Sequence, residues 1–229
     1  MTQSIRSKAI VLRRTNYGEA DRILQIITPE YGRLAVMAKG VRKEKSKLAG
    51  GIELFAVCDM ALTRGSKNIS EMWTLTGSRL NKFFAQIITD YDRLQFGYEV
   101  IKLVSKYSDS IDESEFYHLI EESFEHVDNL KVDLRITKTW FYLRLSKLLG
   151  HELNIMIDTT GMKLVEDAKY NFDNNHEAFV YSENGRYDSN TIKILRVLSS
   201  NGPDIASRIS GIGELINDCY DLALSAARI

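Results

Sequence analysis

Apolar positions recur with period two through the first third of the chain and with helical spacing afterwards. Ala9 to Leu12 is a β-branched run followed by Arg13, Arg14 and Thr15, and Asn16-Tyr17-Gly18 reads as a turn. Arg22 to Thr28 forms a second strand pattern, stopped by Pro29, and Glu30-Tyr31-Gly32 offers a turn in which glycine can take positive φ. Arg33 to Ala38 is a third strand. Ile52 to Thr63, with Leu54, Ala56, Cys58, Met60 and Leu62 on one side, is a fourth. Gly65-Ser66-Lys67-Asn68 reads as a hairpin turn into a fifth strand, Ile69 to Thr76. Five short strands with a break after the third are the layout of an OB-fold barrel, with one face left for a ligand.

Near Gly77 the spacing changes. Leu80, Phe83, Phe84, Ile87 and Ile88 match one helical stripe, and Tyr91, Leu94, Tyr98, Ile101 and Val104 match another. Further helices are predicted over 113–127, 133–149, 189–198 and 215–229, with Gly150 as a stop and Ser189 as an N-cap. Residues 151–188 break the pattern with turn residues and short strands. The expectation is an α+β chain: an N-terminal five-stranded OB-fold β-barrel over 1–78, then an α-helical domain over 79–229 with an irregular β excursion at about 151–188.

Charge sharpens this division. Residues 1–82 carry 15 Lys and Arg against 7 Asp and Glu, a net of +8, while the rest carries −9, so the formal −1 conceals two opposite halves. The basic excess peaks at Lys39, Arg42, Lys43, Lys45 and Lys47, between two strand patterns. With Arg13, Arg14, Arg22 and Arg33 these residues are candidate phosphate ligands, since such contacts release counterions without reading sequence. Tyr17, Tyr31 and Trp73 are aromatic candidates for stacking on unpaired bases. The competing reading is a solvated basic surface with Trp73 in the barrel core, and for Trp73 the core is favoured.

Other chemistries find less support. Cys58 and Cys219 are the only cysteines, so there is neither a disulfide framework nor a cysteine zinc cage. Glu115 and His118 have ExxH spacing but stand alone beside Glu121, Glu122, Glu125 and His126, which favours a solvated helix face over a metal site. No nucleophile elbow, Walker or dinucleotide glycine pattern occurs, and His151 and His176 have no motif partner, so no catalytic residue and no enzyme activity are expected. Ile209-Ser210-Gly211-Ile212-Gly213 resembles a phosphate-binding hairpin, yet Glu214, Asp218 and Asp221 would repel a phosphate, and a plain inter-helix turn is preferred. No signal peptide or membrane-length apolar run is seen, so a cytoplasmic, nucleoid-associated protein without membrane partners is expected. An RNA-binding or translation-associated OB module and a non-catalytic protein adaptor are the alternatives to DNA handling.

The N-terminal residues carry a resemblance. Ala9 to Leu12, Asn16-Tyr17-Gly18-Glu19-Ala20-Asp21-Arg22, Thr28, Tyr31-Gly32-Arg33, Ala38-Lys39-Gly40-Val41-Arg42-Lys43 and Ser46 resemble, in order and spacing, the signature of the bacterial RecO recombination mediators. The likeness is specific over roughly residues 7–60 and architectural beyond. It implies an OB-fold followed by a helical domain with an embedded zinc ribbon, binding of single- and double-stranded DNA, and annealing of complementary strands. It also implies work with the RecR protein in loading RecA onto DNA coated by single-stranded DNA-binding protein. The acidic, apolar tail of that coating protein would need a cation beside a groove, for which Lys102, Lys106, Arg135, Lys138 and Arg144 are candidates. The chain departs from the family in one respect: the stretch matching the four-cysteine site, His151 to Tyr187, has no cysteine. No cofactor is therefore expected, and packing around Phe172, Phe179 and Tyr181 should hold the excursion instead. Metal analysis of the purified protein should find zinc well below one ion per chain; stoichiometric zinc would contradict this reading.

Overall fold

The computed structural model describes residues 2–46, 48–65, 72–108 and 113–228. They form two compact units, 1–128 and 129–229, so the change from strand to helix and the boundary between units fall at different places.

In the first unit, β1 (Gln3–Tyr17), β2 (Asp21–Thr28), β3 (Gly32–Ala38), β4 (Ala56–Arg64) and β5 (Trp73–Phe83) close into a barrel of order β1-β2-β3-β5-β4. The β3–β5 contact is parallel and the others are antiparallel, which is the OB-fold arrangement. Period-two burial decides the faces. Val11, Leu24, Ile26, Val36, Cys58, Met60 and Leu62 point into the barrel core, and Trp73 lies among them. The β2–β3 turn forms as its sequence predicts: Gly32 takes φ 59, and the Thr28 hydroxyl accepts from Tyr31 N–H and donates to the Gly32 carbonyl.

Two helices complete this unit, α1 (Tyr91–Tyr107) and α2 (Glu113–Asp128), and α2 packs on β2 and β3. The Asp90 carboxylate caps α1 by accepting from Arg93 N–H at 2.9 Å. Phe55, at φ 54, wedges edge-on against Tyr98 and Phe124. Gly97 permits this contact, since a Cβ there would stand 2.9 Å from the Phe55 ring. A left-handed non-glycine residue costs on the order of 1 kcal/mol or more, which this packing offsets.

The helical stripe expected at Leu80 and Phe83 is not a helix. β5 runs on to Phe83 because it pairs with β4 as far as Ala56, leaving Leu80 and Phe83 exposed while Phe84 and Ile87 are buried. Spacing alone could not separate these cases; the long β4 partner decided. β4 also begins at Ala56 instead of Ile52, after a 3₁₀ turn at Ala49–Gly51. The expected hairpin turn falls largely outside the described residues.

The second unit holds α3 (Leu134–Leu148), a three-stranded sheet of β6 (Asn154–Asp158), β7 (Tyr170–Asp173) and β8 (Ala178–Tyr181), then α4 (Ser189–Ser200), α5 (Pro203–Ala206) and α6 (Ile212–Ala227). Asp188, not Ser189, caps α4: its carboxylate accepts from Thr191 N–H at 2.9 Å, which with burial opposing leaves its carboxyl below the usual range. Gly211, at φ 78, starts α6, whose Asp218 and Asp221 hold Arg186 at 2.6 and 2.7 Å; this acidic helix matches the inter-helix-turn reading.

The excursion is held by aromatic edges. Phe179 is fully buried and meets Tyr170, Phe172 and Tyr187 edge-on at 5.3–6.1 Å. Tyr170 and Tyr187 exchange two backbone hydrogen bonds of 2.9 Å, and Gly185 lets the chains meet, because a Cβ there would come within 2.4 Å of Tyr170 N. His151 and Glu177 pair at 2.8 Å, with Arg228 on the same carboxylate. Phe179→Ala should therefore destabilise this unit by about 3–5 kcal/mol, seen as early loss of its melting transition, with the barrel transition unmoved.

Candidate nucleic-acid interface

The basic loop becomes a site through its backbone. The β1–β2 turn lies beside the exit of β3, because Arg22 pairs with Ala38. Three hydrogen bonds join the two connections into one rim. Gly40 N–H donates to Asp21 Oδ1 at 2.7 Å, Arg42 N–H to the Ala20 carbonyl at 2.9 Å, and Arg42 Nη1 to the Gly18 carbonyl at 3.2 Å. Gly18 and Gly40 take φ 54 and 63, which other residues adopt only at a cost. The loop then winds tightly, with Lys43 N–H donating to Gly40 and Ser46 N–H to Lys43. Lys39, Arg42, Lys43 and Lys45 are exposed on it, and Tyr17 is 55% exposed at the neighbouring strand end.

The other expected residues divide. Arg22 lies at the same rim and donates to Asn16 Oδ1 at 3.2 Å. Arg13 is exposed on β1 opposite Gln25, which itself faces Ala35, so it borders the outer β2–β3 face that OB-folds use for ligands. Arg14 is held by Glu53 at 2.7 Å and reaches the Ile52 carbonyl, closing the barrel mouth. Arg33 and Tyr31 are at the far end of β2 and β3, where Arg33 Nη1 donates to the Ser105 carbonyl in the last turn of α1 at 2.9 Å. Trp73 is a core residue under the Arg64 guanidinium, 4.8 Å from its ring centroid. Lys47 lies outside the described residues. Asp21, which ties the rim together, was not among the expected residues. One carboxylate between basic segments carries no sequence sign of that role.

The family model described as "Recombination protein O N terminal" matches residues 1–79. Curated proteins called DNA repair protein RecO are similar as well. One from Dehalococcoides mccartyi strain ATCC BAA-2266 is 34% identical over 148 residues, covering 64% of this chain and 56% of that relative. One from strain CBDB1 is 28% identical over 229 residues, covering 96% and 88%. One from Trichodesmium erythraeum is 32% identical over 134 residues, covering 57% and 44%. The chain is therefore similar to RecO proteins, through the family model over its first 79 residues and through these relatives. The first of these alignments spans little more than half of its relative's length, and the family-model match lies over the barrel, where the RecO-like signature and the rim coincide.

The rim of this RecO-like chain offers several cationic donors to a polyanion. Burial, then Asp59 and Glu53, pushes the Cys58 thiol up to about 11, and burial pushes Cys219 up to about 12, so neither is a thiolate at neutral pH. Among the described residues no group of three or more His, Cys, Asp or Glu side chains gathers as metal ligands, and no helix is long and apolar enough to cross a membrane. Arg33→Ala should lower the melting temperature by a few °C, through loss of a charged hydrogen bond to a helix carbonyl. It should leave nucleic-acid affinity within about twofold, as expected of a group off the rim; a larger affinity loss would return Arg33 to the interface.

Proposed function

We propose that this chain is a DNA-repair and recombination mediator. It binds single- and double-stranded DNA through the rim, anneals complementary strands, and helps load RecA onto DNA coated by single-stranded DNA-binding protein. The observation that carries this is the joining of the basic connection after β3 to the β1–β2 turn, at one end of an OB barrel, by Asp21 and Arg42. The loop backbone that carries these cations is already held, so it loses little entropy when they meet phosphates. Two strands held on basic surface also repel each other less, which favours annealing. The similar proteins named DNA repair protein RecO agree with a repair role.

The chain works without catalysis of its own on this reading, and its partners include RecR and the acidic tail of the coating protein. The tail candidates divide between the units: Lys102 and Lys106 on α1, Arg135, Lys138 and Arg144 on α3. Arg135 is bound to its own Asp133 at 2.6 Å, Arg144 lies 5.9 Å from the Trp140 ring and Lys106 4.6 Å from the Tyr107 ring, so Lys102, exposed on α1, is the first to test in a tail-peptide pull-down.

Reversing Arg42, Lys43 and Lys45 together to Glu should weaken single-strand binding about 10- to 100-fold at physiological salt and reduce the log–log salt slope by about 2, at roughly 0.7 per phosphate. Unchanged affinity would remove this loop as the site. In the same titration RNA should bind no better than DNA; a clear RNA preference would favour a translation-type module.

A further inference from the structure

The barrel carries a second cationic surface, away from the rim. On the outer face of β1, β4 and β5, Lys8 pairs with Asp59, which pairs with Arg79; in the next row Arg6 pairs with Ala61, which pairs with Gly77. These rows line an open groove of about 620 Å³. Arg6 and Lys8 stand exposed on one wall, and Arg79 stands on the other with its side chain 81% exposed. Two strand spacings put the walls about 10 Å apart.

The groove has the features of a backbone track. Its floor is Ala61 and Gly77, which raise almost no side chain. Packing does not demand a glycine there, since a Cβ on Gly77 would meet only the Ala61 Cβ, at an ordinary 3.6 Å. Among the described residues Asp59 is the acid that lines the groove, and it is already engaged: Arg79 donates to it at 2.9 Å, Asn81 donates as well, and Lys8 is close enough to act on it; a second carboxylate, Glu30, accepts from the Ser7 hydroxyl. An exposed ion pair of this kind contributes little, so Arg79 can turn to a phosphate at small cost. Arg6, Lys8 and Arg79 against Asp59 leave the lining a net charge of +2.

Position makes this a separate site. The groove centres on Ser7 and the rim begins at Tyr17, ten residues further along β1, or about 30 Å of extended strand. We propose that the β1–β4–β5 groove holds a second single nucleic-acid strand by its phosphates through Arg6, Lys8 and Arg79 while the rim holds the first. This rests on the nucleic-acid reading of the rim. It gives annealing a geometry: two strands neutralised on one barrel.

The test uses the full chain with a short labelled oligothymidylate and a complementary oligonucleotide pair. Wild type should take up two short oligothymidylates per chain; Arg6→Glu/Lys8→Glu should take up one, with first-strand affinity within about threefold and annealing slowed about tenfold or more. Ala61→Glu, which removes no cation but places a carboxylate on the floor, should behave alike, and Arg6→Lys/Lys8→Arg should match wild type. Wild-type stoichiometry of one, or wild-type annealing in both acidic variants, overturns the second strand while leaving the rim intact. Wild type that binds no nucleic acid overturns both readings.

Discussion

Two residue pairs close the barrel: Val36 with Trp73 and Met37 with Thr74, between parallel strands. Parallel neighbours cannot be joined by a tight turn, so the chain must travel from β3 through the whole of β4 before β5 can return to β3. That crossover requires a long connection between β3 and β4, whose first residues, Gly40 and Arg42, lie beside the β1–β2 turn, while Leu48 and Phe55 further on accept from Ser78 and Phe84. Closure also removes the free sheet edges, so strand polar groups are spent inside the barrel and recognition falls to side chains and loops. The buried Trp73 belongs to this closure, which is why it is unavailable for stacking.

Within the basic module, cations have different work. Arg14, Arg33 and Arg64 direct their guanidinium groups to carbonyls, a carboxylate, an amide or a ring of the barrel and α1. Arginine suits this because several fixed donors can satisfy several acceptors at once. Lysines 39, 43 and 45 stay outside on the loop. Arg42 does both, giving its backbone N–H and one side-chain nitrogen to the neighbouring turn while its remaining donors face outward.

The second unit solves a different problem. A small three-stranded sheet has too little apolar area to be stable alone. Here it centres on Phe179, ringed by three aromatic edges and fastened by the paired backbones of Tyr170 and Tyr187. His151 and His176, which sequence motifs left without partners, turn out to be paired with Glu177 and Asp173 in the same segment.

By itself the sequence determined the class of fold, the order of strands and most helices, because period-two and helical burial are written locally in residues such as Leu24, Ile26, Phe116 and Ile120. It also carried the family signature and the concentration of charge at Lys39 to Lys45. Tertiary structure decided what depends on distant partners. It made Leu80 and Phe83 part of a strand, because β4 was there to pair with. It turned Arg33 towards α1, a helix that begins 58 residues later in the chain. It placed Asp21 under Gly40 and aligned Arg6, Lys8 and Arg79, three residues from two remote strands, along one groove. Local periodicity encodes which side of an element is buried; only the register between strands encodes which surface residues become neighbours.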